Sequence, residues 1–362
     1  MPFVHLHRIG RYYHARTRRH ARRILKTEDA PPPMVWMIIC SLGTVAPLLV
    51  GTIRVEVPFA IYGALAGYFI GLSDHRGSLL NRLVIATLSF ITNALCFSLG
   101  ILWHQKLWIF VPFSLVAAYG LRLFGGKGAE LERLLLFSLI NLMVARYAFW
   151  IAPGDLPSVI PYFLIAYSTA IAVILISQYV HPEYQGKFLP AQHALRQAFT
   201  LNPLRHFYSF AYLFTVGISI LCVECLHMPR GYWTVITVLL ILKPDHKESF
   251  YRVFQRLFGS ILGVIAGELL ILIGPPLSAM IGISFLCALL VPYVWNRNYW
   301  LVTFLATLLV ISLLSMALYG HLDNGITWFR LQATLAGCFI SLLSLWVFQQ
   351  LEKMIPKQML HD

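Results

Sequence analysis

The chain has 362 residues, of which 58% are hydrophobic and only 12% are charged, and its mean hydropathy is +0.71. An average soluble domain carries roughly 25% charged residues and disorder requires low hydrophobicity, so the composition excludes both classes. The formal net charge of +13 is concentrated near the N-terminus and in short predicted loops, which is typical of membrane topology signals rather than of a nucleic-acid surface. We therefore expect an all-α polytopic membrane protein without a nucleic-acid partner.

Residues 1–33 form the first predicted element, a basic tail that is rich in arginine and has no acidic residue before Glu28. A basic segment beside a membrane is attracted to the anionic lipid of the cytoplasmic surface, and we predict that role for the tail. Mitochondrial presequences have a similar composition, which leaves a targeting segment as the alternative interpretation.

The next elements are apolar runs of the length that a membrane-spanning helix needs, roughly 20 residues. We predict twelve spans, at about 34–53, 55–73, 83–103, 107–121, 132–152, 157–179, 206–227, 229–243, 257–274, 277–295, 299–319 and 327–349. With the N-terminus in the cytoplasm, twelve spans place most Lys and Arg residues on the cytoplasmic side, as the positive-inside rule requires. The sequence therefore predicts a multi-pass protein of the cell inner membrane with both termini in the cytoplasm.

The twelve runs divide into two similar sets of six, which predicts an internal repeat. Residues 34–180 form the first repeat and residues 206–350 the second, joined by a polar cytoplasmic linker at 181–205 and followed by a tail at 351–362. In each half the second run ends at an Asp-His pair, and an arginine follows it. Because six is an even number, both halves enter the membrane in the same direction and form a parallel repeat. A cleft between them is a natural path for a solute.

Two of the runs carry glycines at every fourth position. Small residues at this spacing allow helix backbones to approach closely in lipid. We interpret the two series as helix-packing positions: Gly63, Gly67 and Gly71 in the second run, and Gly259, Gly263 and Gly267 in the ninth.

The eighth run is short and stops before Pro244. Short segments at matching positions of two repeats point to a binding site, and a tilted short helix is the alternative.

Carboxylates inside apolar runs are candidates for proton coupling, because ionisable residues are costly in lipid and usually face a cavity or a partner. Glu268 lies past the predicted bilayer centre, and Glu224 lies near the outer end of the seventh run. Burial raises the proton affinity of a carboxylate. Pairing with an arginine or a hydroxyl group is the structural alternative.

Three arginines are candidates for contact with an anion, since guanidinium groups pair well with carboxylates. Arg82 and Arg256 open the third and ninth runs at the cytoplasmic side, and Arg146 lies in the fifth run. Ordinary topology anchors are the alternative for the first two. We expect Asp245 either to cap the segment after it or to pair with Arg256.

The second half also contains a recognisable pattern, a Tyr-Trp-x-x-x-Thr core followed by Pro and by an Arg-x-x-Gly-x-x-x-Gly stretch. The matching residues are Tyr232, Trp233, Thr237, Pro244, Arg256, Gly259 and Gly263. With this pattern, residues 206–349 resemble the FUSC-like family of fusaric acid resistance proteins and aromatic acid exporters, whereas the first half is similar only in layout. The large bacterial exporters of that family carry a sizeable cytoplasmic domain, where this chain has a short linker.

The resemblance implies an inner-membrane efflux protein for weak organic acids that is driven by the proton gradient. In this hypothesis Arg82 and Arg256 attract the anion, and Glu268 takes part in proton coupling. Tyr232, Trp233 and Thr237 line or shape the passage. The plant anion channels related to the family imply a different interpretation, a passive channel with a basic-lined pore between the two repeats. A third hypothesis, from another class, is a non-transporting membrane scaffold that acts through the basic tail.

No enzymatic activity is expected, because the sequence lacks a nucleophile elbow, a P-loop, a zinc-protease motif and a dinucleotide-binding loop. We expect no cofactor and no metal. The expected partners are a small organic anion, anionic lipid at the N-terminal tail, and either a second copy of the chain or an accessory envelope subunit.

Overall fold

The computed structural model describes residues 33–354 except 75–76, 125–128, 149–150, 181–202, 244, 296 and 319–324. These residues contain twelve α-helices, one short 3-10 helix and no strand. The helices are α1 (Met34–Arg54), α2 (Val57–Ser73), α3 (Leu79–Leu102), α4 (Leu107–Phe124), α5 (Ala129–Arg146), α6 (Leu156–Val180), α7 (Pro203–Cys225), α8 (Tyr232–Ile241), α9 (His246–Ile273), α10 (Leu277–Val294), α11 (Tyr299–Ala317) and α12 (Ile326–Met354). The basic tail, most of the predicted linker and the last residues of the chain lie outside this part.

Nine of the described helices are long and apolar enough to cross a membrane. The other three are α2 and α8, which are apolar but only 17 and 10 residues long, and α5, which begins with a charged segment. Each of the twelve predicted runs overlaps one helix. The prediction of an all-α polytopic membrane protein is therefore confirmed.

Several predicted boundaries differ from the helices, and for α8 and α9 the residues at the helix ends give the reason. The run at 229–243 yields only the short α8, since the backbone becomes extended at Leu242; Pro244 lies outside the described residues. The run at 257–274 is extended towards the N-terminus, and α9 begins at His246. The Asp245 carboxylate accepts the Lys247 N–H (2.8 Å) as the N-cap of this helix. Of the two roles expected for Asp245, the structure shows the cap.

Contacts between helix ends show that successive helices run in opposite directions. We call end A the side where the odd-numbered helices begin, and end B the side where they finish. At end A, the indole N–H of Trp36 in α1 donates to the carbonyl of Gly71 in α2 (2.7 Å). At end B, the Tyr162 hydroxyl of α6 donates to the Glu56 carboxylate between α1 and α2 (2.6 Å). The predicted cytoplasmic loops lie at end A, and their orientation in the membrane stays a prediction.

The two halves contain corresponding pairs of packed helices. In the first half α3 packs on α5 and α2 packs on α6; in the second half α9 packs on α11 and α8 packs on α12. Between the halves, α1 contacts α10 and α4 contacts α7. A parallel repeat would produce these matching pairs, and the symmetry that relates the halves stays a prediction.

The six glycines of the two series lie where helices cross closely. A Cβ added at Gly63 would lie 2.5 Å from the Cβ of Tyr162 in α6, and one added at Gly263 would lie 2.6 Å from the Cβ of Thr307 in α11. The remaining members of the series face equally close neighbours in α1 or α11: Gly67, Gly71, Gly259 and Gly267. At these positions a larger residue requires the neighbouring helix to move or, at Gly267, the Ile311 side chain to shift.

Candidate functional site

Two arginines from different helices, Arg256 in α9 and Arg330 in α12, lie buried inside the second half. Each residue is only 4% exposed, and their guanidinium charges are close enough to interact. The ion pairs of the described residues include neither of them. Three of their guanidinium nitrogens have no hydrogen-bond partner among the described residues: Nε of Arg256, and Nε and Nη1 of Arg330. We call these two residues the arginine pair.

Aromatic and hydroxyl groups lie near the arginine pair. The Arg330 guanidinium lies 3.9 Å from the centre of the Trp233 ring in α8, and its Nη2 donates to Thr307 Oγ1 in α11 (3.1 Å). Thr237, one turn beyond Trp233, and Ser260, one turn beyond Arg256, are fully buried. Their hydroxyl oxygens lack a hydrogen-bond partner within the described residues. The region thus combines two cations, unused hydroxyl groups and an aromatic face.

The arginine pair lies deep among the predicted membrane spans. At that depth, a cation without an ion-paired carboxylate carries a cost in free energy. Thr307 is the ninth of the 19 residues of α11, so the Arg330 guanidinium lies near the midpoint of that helix. An arginine at the centre of a membrane helix costs roughly 2.5–3.5 kcal/mol on insertion scales. Arginines at such depth usually pair with a carboxylate or face a cavity that holds water or a ligand. None of the described carboxylates of the second half forms an ion pair with either arginine.

Arg82 in α3 has a different environment. Its Nε and Nη2 donate to the two carboxylate oxygens of Asp74 (3.0 and 2.8 Å), and its Nη1 donates to Ser177 Oγ in α6 (3.0 Å). Arg82 is 1% exposed and Asp74 is 6% exposed. Arg82 is therefore bound in a fork by a carboxylate of the chain itself.

Arg146 and Glu224, named separately from the sequence, contact each other at end B. Arg146 Nη2 lies 3.0 Å from Glu224 Oε1, and the Tyr147 hydroxyl donates to the same oxygen (2.6 Å). Nη1 of Arg146 donates to the carbonyl groups of Trp103 and His104, at 2.7 Å each. Because Arg146 ends α5 and Glu224 lies in α7, this Glu224 cluster joins the two halves.

A row of aromatic rings connects the Glu224 cluster to the arginine pair. The Tyr147 ring stacks on the Tyr232 ring with centroids 5.7 Å apart, and Tyr232 packs against Trp233 at 4.6 Å. Trp233 in turn contacts the Arg330 guanidinium. Tyr232 and Trp233 therefore lie between the interface of the halves and the arginine pair.

A second ionic cluster joins the halves at end A. Glu132 Oε1 in α5 lies 2.9 Å from Lys243 Nζ and 3.3 Å from Arg122 Nη1, and Arg122 also donates to the Leu242 carbonyl. Burial lowers the pKa of the Lys243 ammonium from its ordinary value, and the Glu132 carboxylate opposes that shift. We call this group the Glu132 cluster.

Between the two ionic clusters, buried apolar and aromatic side chains of both halves form one continuous core. Phe137 of the first half and Trp295 of the second half, for example, have ring centroids 6.2 Å apart. The arginine pair lies inside the second half, off this interface. The solute path that the sequence predicts between the halves therefore stays a prediction.

Glu268, the other carboxylate proposed for proton coupling, lies near end B in α9. It is half-buried, and one of its carboxylate oxygens accepts a hydrogen bond from the Thr327 hydroxyl in α12. It therefore connects the two helices that carry the arginine pair. A carboxylate that accepts a hydroxyl hydrogen bond can be ionised, or it can be protonated and still accept through its other lone pairs.

The structure brings some of the sequence-predicted residues together and separates others. Arg256, Tyr232, Trp233 and Thr237 belong to one region of the second half, whereas Arg82 and Arg146 are bound to carboxylates elsewhere. Sequence reasoning did not select Arg330 as a site residue. The available signal was a single charge in the first turns of an otherwise apolar helix. It also missed the pairing of Arg82 with Asp74.

Residues 218–344 match the model of a family described as fusaric acid resistance protein-like. This match confirms the family resemblance, and it covers the described residues that form the arginine pair. It includes α8, α9, α11 and most of α12.

Several curated proteins are similar to parts of the chain. An uncharacterised protein of Haemophilus influenzae is 32% identical over 146 residues, which are 39% of this chain and 20% of that protein. An uncharacterised protein, ORF2, of Neisseria gonorrhoeae is 28% identical over 36% of this chain and 32% of its own length. The inner membrane protein YccS of Escherichia coli is 25% identical over 42% of this chain and 22% of its own length. The aligned segments thus span a third or less of each of these relatives, and no solved structure matches the chain.

Proposed function

We propose that this chain, whose second half matches the fusaric acid resistance protein-like family, is a secondary transporter that exports amphipathic organic anions such as aromatic carboxylates. The observation that carries the proposal is the buried arginine pair without a carboxylate partner among the described residues. Similarity to an inner membrane protein supports a location in the inner membrane. The basic tail would then lie on anionic lipid at the cytoplasmic surface, with both termini on that side.

The arginine pair is suited to a carboxylate or another oxyanion. Guanidinium groups bind such anions through two parallel hydrogen bonds, and the atoms without a partner belong to both arginines. The unpaired hydroxyl groups of Thr237 and Ser260 can donate further hydrogen bonds. An anion bound here would offset the cost of two buried cations.

An aromatic substituent on the anion would find matching surfaces next to the arginines. Trp233 presents its ring to Arg330, and Tyr232 continues the aromatic row towards end B. Offset or edge-to-face contacts between aromatic rings contribute roughly 0.5–1.5 kcal/mol beyond the area they bury. The site therefore favours anions that carry an aromatic ring over small inorganic anions.

Proton coupling is the finer part of the proposal and rests on the placement of Glu268 and Glu224. Glu268 connects α9 with α12 through Thr327, so its protonation would act on the two helices that hold the arginine pair. Glu224 binds Arg146 across the interface of the halves, so its protonation would loosen that contact. We propose Glu268 as the principal coupling residue and Glu224 as a second one.

The first experiment measures movement of a radiolabelled aromatic carboxylate, benzoate, across proteoliposomes that have an imposed proton gradient. Protein-free vesicles give the leak rate, which is subtracted. Arg256→Gln and Arg330→Gln should each lower the flux at least tenfold, because each removes one of the two charges that hold the anion. Arg252→Gln is the matched control, since Arg252 lies one turn earlier in α9, pairs with exposed Glu248 and should leave the flux unchanged. Full flux in both arginine-pair variants would overturn the proposal.

The second experiment tests proton coupling with Glu268→Gln. The amide keeps an acceptor for the Thr327 hydroxyl but cannot change its protonation. We expect benzoate exchange at equal pH to persist, while uphill transport driven by the proton gradient is lost. A Glu268→Gln variant that still concentrates benzoate against its gradient shows that the proton is carried elsewhere, with Glu224→Gln as the next variant to measure.

The passive anion channel is the alternative that the arginine pair also favours, because a basic constriction lowers the barrier for any permeating anion. Planar-bilayer recordings distinguish the two mechanisms. A channel gives currents that persist without a proton gradient, whereas a coupled exporter gives none. A scaffold that acts through its basic tail would lose its cellular role when residues 1–26 are deleted, while a transporter would keep most of its flux.

A further inference from the structure

Arg82 in α3 and Arg256 in α9 occupy matching positions in the two halves. Each comes after a side-chain amide and before a leucine, as Asn-Arg-Leu and Gln-Arg-Leu. When the two arginines are aligned, the buried positions beyond them coincide: Ile85 with Gly259, Ala86 with Ser260, Ser89 with Gly263, and Asn93 with Gly267. The two helices therefore bury the same face, α3 against α5 and α9 against α11.

Each of these arginines also faces the last helix of its own half. Arg82 donates to Ser177 in α6, and the charge of Arg256 interacts with that of Arg330 in α12. The halves differ in the role of the aspartate that comes after their second helix. After α2, Asp74 turns towards Arg82, whereas after α8 the corresponding Asp245 caps α9.

We propose that the Arg82 site is a second copy of the anion site that the carboxylate of Asp74 occupies permanently. Removing that carboxylate leaves a site that takes a small carboxylate, such as formate, from solution. The description of this site as a copy rests on the proposed anion site of the second half, but the binding of formate at Arg82 does not depend on it.

The geometry at Arg82 is that of a bound carboxylate ligand. Two nitrogens of one guanidinium meet two carboxylate oxygens at 2.8–3.0 Å, and the third nitrogen is held by a hydroxyl. Asp74 comes directly after the last residue of α2, at end A. The backbone that carries its carboxylate has therefore already left the helix.

The test compares Asp74→Ala, which vacates the volume of the carboxylate, with Asp74→Asn, which fills it. Both are made in an Arg256→Gln background, so that the proposed site of the second half does not contribute. The readout is the thermal unfolding midpoint of the purified full chain in detergent, measured in 100 mM sodium formate and in 100 mM sodium chloride. We expect formate to raise the midpoint of the Asp74→Ala chain by roughly 2 °C or more and to leave the Asp74→Asn chain unchanged.

Further variants show where the formate binds. Adding Arg82→Gln to the Asp74→Ala chain should abolish the formate response, and trimethylacetate, which is too bulky for the vacated volume, should not reproduce it. Equal responses of Asp74→Ala and Asp74→Asn would overturn the proposal, and so would a response that survives Arg82→Gln. If Asp74→Ala folds only when purified in formate, that result supports the proposal. If it folds in neither salt, Asp74→Ser is measured in the same way, and no formate response there overturns it.

These outcomes can be separated from a failure of the proposed function. Benzoate binding to the parent chain and to the Arg256→Gln chain, both with Asp74 intact, tests the second half alone. If the parent binds no benzoate but Asp74→Ala still gains a formate response, the proposed function fails while this inference stands. If the parent binds benzoate but Asp74→Ala gains no formate response, the proposed function stands and this inference fails.

Discussion

In the first half of the molecule, Arg82 reaches a carboxylate and a hydroxyl of its own chain. In the second half, Arg256 at the matching helix position lies beside another arginine and has an unpaired Nε. Both side chains are almost fully buried, so both face the same cost of desolvation. One half balances that cost with its own carboxylate, whereas the described residues of the other half provide no ion pair for the charge. A buried arginine in a membrane helix is therefore not a functional sign by itself, and the proposed anion site rests on the absence of an ion-paired carboxylate at Arg256 and Arg330 among the described residues.

The residue that decides between the two states is the aspartate after the second helix of each half. Asp74 reaches back to Arg82, and Asp245 faces forward to cap α9. The difference between the halves is therefore tested most strongly by removing each aspartate in turn.

We predict the largest effect for Asp74→Ala, which should lower the free energy of unfolding by about 3–5 kcal/mol, because it leaves a buried charge without its partner. Asp245→Ala removes only an N-cap and should cost about 1 kcal/mol. Unfolding by titration with sodium dodecyl sulfate in mixed micelles, followed by Trp fluorescence, measures both. Equal costs for the two variants would show that Arg82 does not depend on Asp74.

The glycine series predict a second, smaller difference, between Gly67 of the first half and Gly267 of the second. A Cβ at Gly67 would overlap the carbonyl oxygen of Gly43 in α1, and a backbone atom cannot rotate away. At Gly267 the nearest atom is Cδ1 of Ile311 (2.5 Å), which lies at the end of a flexible side chain. We expect Gly67→Ala to cost about 1–3 kcal/mol through overpacking and Gly267→Ala to cost less. The same detergent titration ranks them, and the opposite order would contradict this account of the two crossings.

The helical class and the helix count can be derived from the sequence because membrane-crossing length and apolar content are local properties. The limits of α8 and α9 cannot be derived in this way. They depend on where the backbone leaves the helix at Leu242 and on which hydrogen-bond donor the Asp245 carboxylate binds. An aspartate at a helix start can cap that helix or pair with an arginine, and spacing in the sequence is compatible with both. The three-dimensional position of the arginine decides the outcome.

The candidate site was only partly predictable for the same reason. The sequence identifies Arg256, Trp233 and Thr237, because they lie in a recognisable pattern within a short segment. It does not identify Arg330, whose contribution arises from the packing of α12 against α8 and from its contact with Trp233. The pairing of Arg146 with Glu224 escapes detection as well, because the two residues lie in different halves and become neighbours only through tertiary contacts.

The two ionic clusters allow a third comparison, between the ends of the interface that joins the halves. Glu132 accepts from two cations, and its side chain is 16% exposed, whereas Glu224 binds one arginine and one tyrosine and is 26% exposed. Because partly exposed ion pairs contribute little, we expect Glu224→Gln to cost about 1 kcal/mol or less and Glu132→Gln to cost somewhat more. Thermal unfolding in detergent at low and high salt measures both. A larger loss for Glu224→Gln would place the stronger contact at end B.

The smallest predicted effect concerns two glycines at which the halves should behave alike. Gly120 in α4 and Gly282 in α10 lie in corresponding helices, and a Cβ at either position would meet no atom within 4 Å. Alanine is the better helix former because glycine loses more backbone entropy on folding. Gly120→Ala and Gly282→Ala should therefore each stabilise the chain by about 0.5 kcal/mol, with no change in benzoate flux. Destabilisation of only one of them in lipid vesicles would reveal a contact partner, such as a second copy of the chain, on that half alone.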